Sequence, residues 1–149
     1  LFYLIHMNEQ ITLYLLEIKI VLENKEDRIV YKFGRTGGIY KVPVNSVKTR
    51  SDQKRYMFKK RNITSRIKEL QRDICKGFYG DIKIQNASVK CVKHKHFRNR
   101  KNADFCEKKI LEETKHFYQK NLKKHNGGHF TEVRELISKR EALDFFKRV

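Results

Sequence analysis

Thr12-Leu13-Tyr14-Leu15-Leu16-Glu17-Ile18, followed after a polar break at Glu23-Asn24-Lys25-Glu26-Asp27 by Tyr31-Lys32-Phe33-Gly34-Arg35-Thr36, decides how this chain folds. Two apolar, strand-like runs joined by a charged turn read as a β-hairpin. Apolar residues fall on both faces of the stretch from Ile11 to Leu22, as in a strand buried on both sides. Strands are expected at about 11 to 22 and 28 to 34. The second ends in Gly-Arg-Thr, where a sharp turn is expected, and the pairing would bring Tyr14 and Lys32 together on one sheet face.

Working outward from the hairpin, Lys48 to Arg61 holds seven basic residues and one acidic residue among fourteen, interleaved with Tyr56, Met57 and Phe58. It reads as a basic, surface-biased insertion over about 37 to 61. After it, Ile63, Ile67, Leu70 and Ile74 recur at helical spacing, with Asn62 or Thr64 as cap, and Gly77 and Gly80 close that helix. Ile82, Ile84, Ala87, Val89, Cys91 and Val92 give a third strand with a bulge near Asn86. The basic run Lys93 to Lys101 follows as strand end and loop. A second helix is expected from Ala103 to about Leu122, broken by Asn126-Gly127-Gly128. His129 to Val133 reads as a short extended segment, and a last amphipathic helix begins near Ser138 and Glu141, which stand at capping-box spacing.

The chain has 149 residues, enough for one domain and too few to expect two. Its formal charge of +18, from 35 Lys and Arg against 17 Asp and Glu, attracts DNA, RNA or an anionic membrane surface and repels a basic partner. The membrane-surface class lacks an amphipathic helix with a clean aromatic face. The uncharged run from Leu1 to Asn8 is far below the roughly 20 apolar residues of a spanning helix, so no transmembrane segment is expected. Secretion is not expected either, because no basic region, apolar stretch and cleavage site occur in succession. Cys75, Cys91 and Cys106 are odd in number and irregular in spacing, which points to free thiols in a reducing, intracellular compartment.

The hairpin and the segments C-terminal to it resemble the GIY-YIG endonuclease superfamily, most of all its phage and large-DNA-virus branch, in which the second motif reads Lys-Phe-Gly-Arg-Thr or a close variant. Tyr14 matches the tyrosine of the first motif, and Lys32-Phe33-Gly34 replaces the usual Tyr-Ile-Gly. Thr12 and Leu13 stand where Gly-Ile is usual. A literal Gly38-Ile39-Tyr40 comes after the Gly-Arg-Thr turn, with no Tyr-x-Gly at hairpin distance, and reads as a loop glycine pair leading into an extended segment that runs to Pro43. The resemblance spans roughly Thr12 to Val133. It implies an α+β fold with a small three-stranded antiparallel sheet flanked by helices, and a metal-dependent DNA endonuclease. If the source is viral, the compartment is the cytoplasm or nucleus of a host cell.

Phosphodiester cleavage needs a nucleophile made from water and stabilisation of charge on the phosphate and the leaving oxygen. By the resemblance, Tyr14 assists deprotonation of the water. A free tyrosine titrates near pH 10, so positive charge from Lys32 and Arg66 would have to support it. Arg66 matches the family's helix arginine, whose planar fork suits two phosphate oxygens, although the 32 residues from Gly34 to Arg66 exceed the family's usual loop. Glu107, in Ala103-Asp104-Phe105-Cys106-Glu107, matches the single metal-binding glutamate, which suits Mg²⁺ or Mn²⁺ completed by water and phosphate. Glu112 and Glu113 compete with it.

Glu132, in His-Phe-Thr-Glu-Val, is placed near the site either as a participant or as a residue orienting Lys32 or Arg66. Candidate nucleic-acid contacts are Arg35, Thr36, Lys59, Lys60, Arg61, Arg98 and Arg100. Without the resemblance, Tyr14 is equally a packed sheet aromatic, the alternative reading of Arg66 is a solvated helix residue, and a helical carboxylate such as Glu107 is most often a solvated charge. Cys91, His94, His96 and Cys106 match no closed zinc pattern. The partner expected is DNA, with RNA left open, and the competing function is a non-catalytic nucleic-acid-binding module.

Overall fold

In the computed structural model, which describes residues 11–37, 39–43, 56–60 and 62–149, with only the backbone of 39–43 and 56–60, the central element is β1 (Ile11–Leu22). It pairs antiparallel with β2 (Asp27–Gly37) on one side and with β6 (Ile82–Phe97) on the other. Being central, it is buried on both faces. Its even-numbered residues Leu16, Ile18 and Ile20 pack with Leu70 and Ile74 of α1 (Ile63–Cys75), while Leu13 and Leu15 pack with Ile110 of α2 (Arg100–Glu113) and Phe146 of α3 (Lys139–Lys147). The β1–β2 turn places Lys25 in the left-handed region at φ 73°.

The expected small three-stranded sheet is corrected: among the described residues the sheet has six strands, in the order β7-β5-β6-β1-β2-β8, every pairing antiparallel. The three strands read from the sequence are its centre. The additional ones, β5 (Phe78–Tyr79), β7 (Leu122–Lys123) and β8 (Val133–Arg134), are two residues long, too short to carry an alternation pattern. A separate antiparallel pair joins β3 (Ile39–Pro43) to β4 (Tyr56–Lys60). The extended segment expected up to Pro43 is thus present, while most of the basic insertion, including Arg61, lies outside the described residues.

Three further boundaries differ from expectation. Strand β2 does not turn at Gly34-Arg35-Thr36 but stays paired with β1 through Gly37. The glycine at 34 serves a close contact instead: a Cβ there would stand 2.7 Å from the Tyr14 hydroxyl oxygen and 2.8 Å from ring Cζ. The second helix stops at Glu113 rather than near Leu122, with Thr114 as its C-cap. Thr114 donates through both its backbone N–H and its hydroxyl to Ile110 O (3.1 and 2.7 Å), and the Arg134 guanidinium donates to Leu111 O (3.1 Å). Finally, the basic run after Lys93 is mostly strand, since β6 continues to Phe97 and α2 starts at Arg100.

Other expectations hold. Asn62 is the cap of α1, accepting from Ser65 N at 2.8 Å. The register of β6 shifts next to Asn86, with a second irregularity opposite Leu15 and Leu16. Ser138 and Glu141 form a reciprocal capping box on α3. No helix among the described residues is long and apolar enough to cross a membrane.

Candidate active site

Residues opposite one another in an antiparallel pair share a face. Tyr14 lies opposite Gly34, and Leu16 opposite Lys32, so Tyr14 and Lys32 occupy the same face, the one covered by α1. The missing side chain at 34 leaves room for the Tyr14 ring, which is 1% exposed. Tyr14 is therefore both readings at once: a packed core aromatic whose hydroxyl end meets a polar cluster.

That cluster is assembled from five segments. Lys32, buried on β2, makes an ion pair with Glu132, which precedes β8. Because Val133 pairs with Lys32 in the sheet, the residue before it is delivered to the ammonium group. Arg66 sits on α1, near enough to the Tyr14 hydroxyl for the two groups to act on one another, and its guanidinium is 3.4 Å from Glu69. Glu107, on α2, is close enough to Tyr14, Lys32 and Glu132 for their charges to act on one another. Arg35 stands 3.9 Å from Glu107 and 2.5 Å from Asp104.

Burial pushes the Tyr14 hydroxyl above its ordinary 10.0, outweighing the Arg66 hydrogen bond and charge; Glu132 and Glu107 add to the rise. In the free protein Tyr14 keeps its proton at neutral pH. Burial also pushes the Glu107 carboxyl up, helped by Glu132 and Asp104 and opposed by Arg35 and Lys32. For Arg66, burial disfavours the charged form, but Tyr14 and Glu69 more than offset it and the guanidinium is held upward.

The competing carboxylates are elsewhere: Glu112 pairs with Lys115 at 3.4 Å in solvent, and Glu113 has one buried oxygen with no partner among the described residues. Of the expected nucleic-acid contacts, Arg98 and Arg100 are exposed at the entry to α2, Thr36 is buried, and Arg35 is engaged with Asp104 and Glu107. The side chains of Lys59 and Lys60, and Arg61 altogether, fall outside the described residues. Cys91 packs with the α1 face and Cys106 with the opposite one, so the sheet separates them.

Arg134 is a site residue that the sequence reading missed. Buried beside Glu132, its guanidinium donates to Thr114 Oγ1 (3.0 Å), Thr131 O (2.8 Å) and Leu111 O (3.1 Å), tying the segment that carries Glu132 to the end of α2. Burial lowers its pKa, with Glu132 and Tyr118 opposing. Nothing in Thr131-Glu132-Val133-Arg134 announces this, because an arginine one residue after a short apolar position reads as solvated. Beside the cluster opens a cleft of about 340 Å³, walled by Lys32, Arg66 and Glu132 at one end and by Lys124, His129 and Thr131 from the turn before β8.

Comparison with protein-family models, with curated proteins and with solved structures finds no match to this chain.

Proposed function

We propose that this protein is a metal-dependent endonuclease that hydrolyses phosphodiester bonds in DNA, with its chemistry at the Tyr14, Lys32, Arg66, Glu107 and Glu132 cluster. The observation that carries the proposal is convergence. Residues picked out by their likeness to GIY-YIG endonucleases lie on β1, β2, α1 and α2 and before β8, and they meet around one buried tyrosine hydroxyl. The likeness rests on the site, since the sheet is larger than the one that resemblance implies.

The residues present suit a divalent cation. Glu107 is a carboxylate made unfavourable by burial and by Glu132 and Asp104, so added positive charge would relieve it. Among the described residues no group of three or more His, Cys, Asp or Glu side chains is placed to hold a metal ion, so a cation here would rest on Glu107 with water and phosphate oxygens as its other ligands. When bound, an Mg²⁺ or Mn²⁺ ion supplies Lewis-acid stabilisation of the phosphate and of the leaving oxygen.

The chain's own residues do the remainder. Arg66 offers a planar fork to the phosphate oxygens and steadies the oxygen of Tyr14. Tyr14, once ionised, takes the proton of the attacking water at Oη. Buried Lys32 and half-exposed Glu132 hold one another, so that the ammonium charge stays beside the reacting phosphate. Lys32 supports the tyrosinate in place of a second tyrosine. DNA is the partner, drawn by the +18 charge, with RNA the other polyanion open to it, and the free thiols suit an intracellular compartment.

A second reading, a nucleic-acid-binding module without activity, is favoured by one contact: Arg35 already stands at Glu107. Plasmid nicking with Mg²⁺ and with chelator decides between the two. Cation-dependent nicks that vanish in Glu107→Gln support the nuclease; binding with no nicks at any cation concentration selects the module.

A further inference from the structure

The cleft beside the cluster is lined by Arg66, Glu69 and Asp73 of α1 and by Lys124 and His129 of the turn before β8. That turn is well braced. Lys124 N donates to Gly128 O at 2.7 Å, Gly127 N to Lys124 O at 3.0 Å and Gly128 N to Asn126 Oδ1 at 2.9 Å, while His129 bridges back to Lys123. The Lys124 ammonium is held 5.4 Å from the centre of the Phe130 ring, a cation–π contact that fixes its direction.

His129 adds an imidazole. Its Nδ1 is buried with no partner among the described residues. The other ring nitrogen, Nε2, is the one left to meet a ligand of the cleft that His129 lines. The turn thus brings an ammonium and an imidazole to the same cleft that Lys32 and Arg66 line, beside the carboxylates of Glu69, Asp73 and Glu132.

We infer that Lys124 and His129 form a second phosphate subsite, which grips the nucleic-acid strand at the phosphate next to the one positioned by Lys32 and Arg66. This rests on the nuclease reading for the identity of the strand, and deepens it by fixing the path of the substrate through the cleft. The braced turn means that the subsite exists before the strand arrives, so little ordering cost is incurred on binding.

The test is equilibrium binding of a short synthetic DNA duplex in chelator, followed by fluorescence anisotropy over a range of salt, for the wild type and for Lys124→Ala, His129→Ala, His129→Gln and Lys139→Ala. Lys139 lies on α3, across the sheet from the cleft and 3.9 Å from Glu17, and serves as a control for the loss of a lysine away from the cleft. The slope of log affinity against log salt should fall by about one in Lys124→Ala and stay at the wild-type value in Lys139→Ala. His129→Ala should bind roughly tenfold more weakly, as for the loss of a hydrogen bond to a charged group, and His129→Gln, which restores a donor, should recover most of that. Wild-type slope and affinity in both alanine variants at the turn, or an equal drop in Lys139→Ala, overturns the subsite. The measurement involves no cleavage, so the subsite stands or falls here whatever the nicking assay returns. Absence of Mg²⁺-dependent nicking by the wild type would strike only the nuclease reading.

Discussion

Replacing Gly34 by alanine tests the link between the sheet and the chemistry at its narrowest point. The added Cβ would stand 2.7 Å from Tyr14 Oη, 2.8 Å from Cζ and 3.1 Å from Cε2, so the end of the ring must retreat by about 0.7 Å to reach the 3.4 Å of an ordinary contact. Gly34 lies in regular paired strand opposite Tyr14, so the whole effect comes from that contact. The ring is enclosed, and overpacking of this kind costs about 1–3 kcal/mol. Since a misplacement near 1 Å can cost roughly a hundredfold in rate, single-turnover cleavage should fall by about one to two orders of magnitude. A double-mutant cycle with Tyr14→Phe separates the two effects. In the Phe background Gly34→Ala should still cost stability in urea unfolding, because Cζ remains, but should cost little further in rate, because the hydroxyl it displaces is gone. Wild-type cleavage by a stably folded Gly34→Ala protein would refute the reasoning, since it would mean that the position of the Tyr14 hydroxyl does not matter.

Tyr14→Phe alone should lose at least about a hundredfold in rate. Because burial holds the hydroxyl above 10.0, fewer than about one Tyr14 in a thousand is ionised at pH 7. The wild-type rate should therefore rise about tenfold per pH unit from 7 to 9, while the residual rate of the Phe variant lacks that rise; parallel profiles would remove Tyr14 as the base. Glu107→Gln should abolish cation-dependent cleavage and keep DNA binding. Its folded-state pKa is raised, so ionised Glu107 costs stability above the ordinary carboxylate pKa and the cost is relieved as pH falls; the Gln variant should melt higher than wild type at pH 7 and lose that advantage in acid. A lower melting point at pH 7 would contradict the direction of the shift. Arg134→Ala leaves Leu111 O and Thr131 O without their donor and should destabilise the fold by about 3 kcal/mol in urea titration, with Arg134→Lys recovering only part.

The core of the fold was legible because β1, β2, β6 and α1 bury long periodic stretches, and burial is what periodicity records. The two-residue strands were not, because pairing along the edges of β2, β5 and β6 recruits them rather than any pattern of their own. Gly34 shows the same limit from another side. A glycine before Arg-Thr looks like a turn, yet it is the tyrosine twenty positions earlier that requires it. The end of α2 was misread in part because one of its last carbonyls, Leu111 O, is met from far along the chain, by Arg134 twenty residues beyond Thr114. The residues with motif context, Tyr14, Lys32, Arg66 and Glu107, could be picked out from the sequence as candidates, whereas the contacts of Asp104 with Arg35 and of Arg134 with Leu111 and Thr114 join positions distant in sequence and leave no local signal.

A chain of +18 would be expected to concentrate its positive charge where the DNA reacts, but the cluster is close to balanced. Lys32 is matched by Glu132, Arg35 by Asp104 and Glu107, and Arg66 by Glu69. Attraction and chemistry are thereby carried by different residues. On the nuclease reading proposed above, the excess charge elsewhere would draw the duplex and set the salt dependence, whereas the matched pairs would hold side chains in place without gripping the ground-state phosphate so tightly that the barrier rises with it. Unpairing should then act on rate more than on affinity. Glu132→Gln frees the Lys32 ammonium, adds one positive charge to the cluster and loosens the group it held. The duplex should bind it as tightly as wild type or more so, while single-turnover cleavage falls. Weaker binding together with wild-type cleavage would show that the pair serves attraction, and that this division of labour is wrong.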